Sequence, residues 1–119
     1  GVGEMKIKVS QAQGLALDWM VGKCEGEEMI MYKGQLEALW TENGWKPSSD
    51  WAQAGPIIGR ECIEVSCLCA TGYTPDTWTA RHPQRYLAKG PTPLIAAMRC
   101  FVSSRMGDEV EVPDEVQSV

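Results

Sequence analysis

Few side chains in this 119-residue sequence are suited to acid–base or nucleophilic chemistry. His82 is the only histidine, so any catalytic arrangement of serine or cysteine with histidine must include it. No sequence feature places a cysteine beside it, and His82-Pro83-Gln84 lacks the glutamate that a zinc deaminase uses as general acid and base. A glycine-rich phosphate loop and an HExxH motif are also absent from the sequence. We therefore predict no catalytic residues, and binding is favoured over catalysis.

The five cysteines predict neither a disulfide framework nor a metal site. Their number is odd, no CxxC pair occurs among them, and no secretory signal precedes them. Cys67 and Cys69 have the spacing of two residues on one face of a strand. We expect reduced thiols in a cytoplasm, packed as small hydrophobic residues, with no metal and no cofactor.

An anion-binding site is one interpretation of residues 81–92. From Thr77 to Gly107 the chain contains five basic residues and no acidic ones. Thr92 and Pro93 are residue types that begin a helix, and a helix N-terminus attracts anions because its first N–H groups have no partners within the helix. The candidate residues are Arg81, His82, Arg85, Lys89 and Thr92. The simpler interpretation, which is favoured, is that these cations face solvent or the acidic residues after Gly107.

A second candidate surface is the stretch SSDWAQAGPIIGRE at residues 48–61. In a structural interpretation, Ser49 or Asp50 caps one helical turn that ends at Gly55-Pro56, and Trp51 packs into the protein as an anchor. In a functional interpretation the stretch lines a pocket in which a tryptophan stacks on a planar ligand. The candidate binding residues are Trp45, Asp50, Trp51, Gln53 and Arg60. The structural interpretation is favoured, and both hold if Trp51 is the anchor while Trp45 is exposed.

Two main helices are predicted to position these residues, over about 11–25 and 93–106. Ser10–Gln13 has the spacing of a capping box, which predicts the start of the first helix. Thr92 is a suitable cap for the second helix, and Pro93 suits its first position. The apolar stripe of the second helix predicts that it belongs to the core: Leu94, Ile95, Met98, Phe101 and Val102.

Strand patterns occupy much of the remaining sequence. The alternating run Met5–Val9 predicts a half-buried strand. Short apolar runs on either side of Lys33-Gly34 predict a hairpin, although the second run would also fit one helical turn. Runs at 62–69 and 77–81, separated by a turn at 72–76, predict another hairpin. This order of elements predicts an α+β fold in which the two helices pack on a mostly antiparallel sheet of four to five strands.

The charge distribution divides the chain into a body and a tail. The net charge is −5, and five of the sixteen acidic residues lie after Gly107. We therefore expect residues 5–107 to form a single α+β domain and 108–119 to form an acidic, mobile tail. Residues 1–4 are interpreted as a cloning remnant. No stretch approaches the roughly 18 consecutive apolar residues of a membrane span, so no membrane location is expected.

Several stretches resemble the NinX-like proteins of tailed bacteriophages and prophages. They are Pro47–Ile58, Gly90–Arg99 and, more weakly, Leu17–Trp19 with Lys23–Gly26. The resemblance extends over nearly all of the chain and departs from the expected pattern at 29–43. It implies the α–β–α sandwich of a related phage domain, a gene from a phage accessory region and a location in the bacterial cytoplasm. It implies no catalytic residues.

The sequence thus predicts a phage accessory protein that acts by binding. The first hypothesis is a modulator of a host or phage protein, because exposed tryptophan favours protein interfaces and the chain has five tryptophans. The alternative is capture of a small anionic ligand, such as a nucleotide, at residues 81–92. Nucleic acid is disfavoured: before the tail, eleven basic residues balance eleven acidic ones, and the tail itself repels phosphate.

Overall fold

The structure is a computed structural model that describes residues 4–38, 44–67 and 78–117. Three α-helices and seven β-strands lie in these ranges, which confirms the predicted α+β class. In chain order they are β1 (Glu4–Lys8), α1 (Gly14–Cys24), β2 (Met29–Tyr32), β3 (Gln35–Ala38), α2 (Trp51–Glu61), β4 (Glu64–Cys67), β5 (Trp78–His82), β6 (Tyr86–Gly90), α3 (Pro93–Met106) and β7 (Glu109–Pro113). Helix α2 is additional to the two helices that the sequence predicts.

Helix α3 forms the centre of the core, and its predicted bounds of 93–106 are confirmed. The Thr92 hydroxyl accepts the Ile95 N–H at 3.1 Å, and proline occupies the first turn. Its buried residues are Leu94, Ala96, Ala97, Met98, Arg99, Cys100, Phe101 and Val102. Strand β6 approaches the helix so closely that a Cβ atom on Gly90 would lie 2.8 Å from the Ala96 nitrogen. Only glycine permits this contact without displacing the backbone.

The strands form three small antiparallel sheets, so the predicted single sheet of four to five strands is wrong. Strand β1 pairs with β7, β2 pairs with β3, and β4, β5 and β6 form a three-stranded sheet. Helix α3 contacts all three strands of the larger sheet, whereas α1 contacts β2, β3 and β7. Each small sheet packs its apolar side against a helix, so the strands are buried without forming one continuous sheet.

The acidic segment that was expected to be mobile contains strand β7. Val110 and Val112 are buried, whereas the glutamates that alternate with them are exposed. In the register with β1, Lys6 faces Glu111 and Lys8 faces Glu109, which places opposite charges on neighbouring strands. Glu109 and Glu111 therefore belong to the solvent face of a half-buried strand, and the valine alternation was the signal for it.

The first helix begins later than predicted. Ser10 lies in a 3-10 turn, Val9–Gln11, and Gln13 precedes α1 without capping it through its side chain. Helix α1 therefore covers the middle and end of the predicted span, where Leu17, Met20 and Val21 are buried.

The predicted hairpin about Lys33-Gly34 is confirmed. The two turn residues have φ values of 52° and 78°, as a two-residue turn between antiparallel strands requires. The pairing predicted between the runs at 62–69 and 77–81 is also found, as β4 with β5. The turn predicted at 72–76 lies outside the described residues.

Most of the candidate anion-binding segment, residues 81–92, lies in β-structure. Strands β5 and β6 form a hairpin through it, with Arg85 in the turn at a φ of 72°. A positive φ is unusual for arginine, and here it permits the tight connection between His82 and Tyr86.

Candidate functional site

The stretch 48–61 forms a helix of eleven residues rather than one turn. Asp50 is the cap, as predicted, and its carboxylate accepts the Ala52 N–H at 2.8 Å. The prediction that Gly55-Pro56 ends the helix is wrong, because burial of Ala54 and Ile57 holds the next turn against the core. Pro56 lies in the middle of the helix on its exposed side, and the Ala52 carbonyl that loses its partner is also exposed and can reach water.

The two tryptophans of this region have the reverse of their predicted roles. Trp51 is 58% exposed and is not an anchor. Trp45 is half-buried against the core, and its indole N–H donates to the Asp18 carbonyl at 2.8 Å. The backbone N–H of Trp45 donates to the Leu36 carbonyl at 2.6 Å. Because the helix continues past Pro56, Ala54 and Ile57 set the inward side of α2, and Trp51 lies away from it.

The exposed side of α2 carries no charged side chain from Trp51 to Gly59. We call this surface the Trp51 face, and its residues are Trp51, Ala52, Gly55, Pro56 and Gly59. A Cβ atom added to either glycine would meet nothing within 4 Å, so the helix backbone is accessible there. An indole beside accessible backbone forms a flat apolar surface that another protein element can approach closely.

Buried hydrogen bonds fix the segment that precedes α2. Asp18 of α1 is only 4% exposed, and its carboxylate accepts the Ser48 N–H at 2.7 Å. Burial raises the pKa of Asp18 from 3.8 to about 6, and hydrogen bonds from the Ser48 backbone and side chain oppose that rise only in part. Sequence reasoning did not nominate Asp18, although a single acid within the apolar pattern of α1 was a usable signal.

Gln53 also holds this segment and does not line a pocket. Its side-chain oxygen accepts the Lys46 N–H at 2.6 Å, and its amide nitrogen donates to the Gly44 carbonyl at 2.9 Å. Both contacts lie within one turn of Trp51, so they stabilise the start of α2 and the position of the Trp51 face.

Arg60 and His82 meet at Glu61, which is the hub of a polar cluster. The Glu61 carboxylate binds His82 Nε2 at 3.0 Å, Arg60 Nε at 3.1 Å and an Arg105 Nη at 2.7 Å. Burial raises the pKa of Glu61, but the hydrogen bonds from His82, Arg60 and Arg105 outweigh it and lower the pKa to about 2. Arg60 also pairs with Glu25. This cluster joins α1, α2, α3 and β5.

His82 is placed for structure rather than for binding. It is 6% exposed, and its Nδ1 accepts the Gln84 N–H at 3.1 Å. With Nδ1 accepting, Nε2 is the ring nitrogen that can donate to Glu61. Both ring nitrogens are engaged within the protein, so neither faces a ligand.

The remaining cations of the predicted anion site are not brought together. Arg85 precedes β6 and Thr92 follows it, and a five-residue strand separates its ends by about 13 Å. Arg81 lies opposite Leu87, near the Arg85 end, whereas Lys89 is near the Thr92 end. The Thr92 hydroxyl is already occupied as a helix cap.

The cysteines and acidic groups give no sign of covalent or metal chemistry in the described ranges. Burial raises the pKa of the Cys24 thiol to about 12 and that of Cys100 to about 11, so both are protonated near neutral pH. No cluster of three or more potential metal ligands occurs among the residues that the structure describes. No helix in the same residues is long and apolar enough to cross a membrane.

Comparison with known protein families supports the resemblance that the sequence motifs indicate. No curated protein matches the chain. The family model described as Bacteriophage P22, NinX matches residues 8–105, which include α1, the Trp51 face and all of α3 but its last residue. Since that match extends over most of the 119 residues, the chain belongs to the NinX family of phage accessory proteins.

Proposed function

We propose that this phage protein acts by binding a protein partner of the phage or its host through the Trp51 face. The exposure of Trp51, at 58%, is the observation that carries the proposal. Tryptophan is the side chain most often found at the energetic centre of protein interfaces, because it removes a large area from water while ordering few torsions. Around it the Trp51 face is apolar and flat, so the fitting partner is an apolar segment that can lie against α2.

Preorganisation supports this role. Asp18, Trp45 and Gln53 fix the segment that leads into α2, and Asp50 caps the helix. A surface that is already ordered loses little conformational entropy when it binds, which leaves more of the contact energy for affinity. The charge of Arg60, at the end of the helix, is met by Glu25 and Glu61 within the protein. The Trp51 face therefore recognises shape and apolar area more than charge.

Affinity capture from lysates of phage-infected and lysogenic cells tests this proposal. The immobilised protein should retain a partner that Trp51→Ala loses. Tyr32→Ala is the matched control, because Tyr32 is 55% exposed on β2 and is also aromatic. Gly59→Arg places a charge on the Trp51 face without a steric clash and should also abolish binding.

Sedimentation of the purified protein shows whether the partner is a second copy of this chain. In that case the wild type self-associates and Trp51→Ala does not. Retention of every captured partner by both Trp51→Ala and Gly59→Arg, with no change in self-association, would exclude the Trp51 face as the binding surface.

A further inference from the structure

A cleft of about 900 Å³ lies on a different part of the protein, beside the edge strand β6. One wall is formed by residues 87–91 and the other by residues 8–10. Arg99 and Ser103, one turn apart on α3, also line the cleft. A cleft of this size is in the range of small-molecule and peptide sites.

Arg99 is a buried cation without an acidic partner among the described residues. It is 8% exposed, its Nε donates to the Ala12 carbonyl at 2.8 Å, and its Nη1 donates to the Lys89 carbonyl at 2.9 Å. Burial lowers the pKa of Arg99. Both hydrogen bonds end on neutral backbone carbonyls, so the positive charge of Arg99 has no opposite charge beside it. Three of the five guanidinium N–H donors are not used by these two bonds.

Three cations and two acids line the cleft, so cations are in excess: Lys8, Lys89 and Arg99 against Asp108 and Glu109. The Arg99 end also has Lys89, whose exposed side chain adds a second cation. Glu109 faces the cation Lys8 across β1 and β7, and Asp108 precedes it, whereas neither acid forms an ion pair with Arg99. Buried charge is stabilised most by an opposite charge, so the Arg99 end favours an anion from outside the chain.

We propose that this cleft binds the oxyanion of a carboxylate or phosphate ligand, held by Arg99 and Lys89. The planar guanidinium donates paired hydrogen bonds to two oxygens, and the Lys89 ammonium approaches the same anion from the rim. This site is separate from the Trp51 face, and it shares only Lys89 with the candidate residues of the anion site predicted at residues 81–92.

Nuclear magnetic resonance of the ¹⁵N-labelled protein tests the site directly, because the Arg99 Nε–H gives its own signal. Inorganic phosphate and acetate are the probes, and sodium chloride at matched ionic strength is the control. The expected result is a saturable shift of the Arg99 Nε–H and of the Lys89 and Ser10 amides with phosphate, acetate or both. The probe that saturates at lower concentration identifies a phosphate or a carboxylate as the preferred ligand.

Matched variants separate a built site from general attraction of anions. Lys89→Gln should weaken binding about fivefold, whereas Arg81→Gln removes an exposed cation from the neighbouring strand and should leave affinity unchanged. Glu109→Gln removes a repelling carboxylate and should strengthen binding. Shifts that chloride reproduces, or equal losses in Lys89→Gln and Arg81→Gln, would overturn the proposal. Arg99 itself is kept intact because its two backbone contacts also join β6 to the chain before α1.

Discussion

The buried carboxylate of Asp18 makes a quantitative prediction about stability and pH. The native pKa is about 6, against 3.8 for the free side chain. The folded protein therefore binds this proton more tightly than the unfolded chain does. Protonation of Asp18 therefore stabilises the folded protein, and this stabilisation is complete below pH 3.8 and is lost as the pH rises through about 6. A shift of this size corresponds to about 3 kcal/mol, most of it between pH 4 and pH 7.5.

Asp18→Asn isolates this contribution. Asparagine keeps an oxygen that can accept the Ser48 N–H, but it has no proton to lose in this range. The free energy of unfolding of Asp18→Asn, minus that of the wild type, should therefore increase by about 2–3 kcal/mol from pH 4 to pH 7.5. Taking the difference cancels the titration of the other groups, provided that the substitution leaves them undisturbed.

Urea denaturation followed by tryptophan fluorescence measures both proteins at pH 4, 5, 6 and 7.5. Glu64→Gln, which removes an exposed carboxylate from β4, corrects for the general effect of one fewer negative charge. A difference that does not change with pH would refute the burial argument. A difference that decreases with pH would show that the hydrogen bonds from Ser48 outweigh desolvation.

The other expected outcomes concern contacts that hold the two surfaces, and denaturation at pH 7 measures each. Gln53→Ala removes two hydrogen bonds and should lower the free energy of unfolding by about 1–2 kcal/mol. Trp51→Ala should change that free energy by less than about 0.5 kcal/mol, because the side chain is largely exposed. Equal losses in the two variants would contradict a structural role for Gln53 and an exposed, non-structural position for Trp51. Gly90→Ala brings a Cβ within 2.8 Å of the Ala96 backbone nitrogen and should lower the free energy of unfolding by about 1–3 kcal/mol. An unchanged free energy of unfolding would mean that β6 can move away from α3. Glu61→Gln should destabilise by about 2 kcal/mol. The low native pKa of Glu61 stabilises the wild type above pH 4.5, and this stabilisation disappears as the pH falls through about 2. The difference in the free energy of unfolding between Glu61→Gln and the wild type should therefore become smaller in acid. A difference that stays constant with pH would indicate a packing effect instead.

Local chemistry determined which elements the sequence could predict. Helix α3 was predicted to its end residues because Thr92, Pro93 and Gly107 each act on the nearest backbone alone. The Lys33-Gly34 hairpin was predicted for the same reason. The arrangement of the strands into three sheets depends on contacts between distant segments, such as the pairing of β1 with β7, and no local signal specifies those contacts.

The candidate site was harder to predict because the position at which α2 ends determines which of its side chains face the core. Ending the helix at Gly55-Pro56 leaves Trp51 as the only large side chain to anchor it. Once burial of Ile57 carries the helix to Glu61, the inward side is defined without Trp51. The polar contacts were missed for a related reason. Asp18 and Glu61 find their partners at Ser48 and His82, far away in sequence, and only the fold brings them together.

The division of roles between the two tryptophans is itself an argument for recognition at α2. Trp45 meets the need for an aromatic anchor, with its N–H bonded and its ring against the core. Trp51 occupies the first position of a helix that Asp50 already caps, where alanine would form the helix at least as well. An indole left in water promotes association and lowers solubility, and with Trp51 58% exposed the fold gains only part of the packing that a buried indole provides. Contact with a molecule outside the chain is therefore the explanation that we propose for the exposure of Trp51.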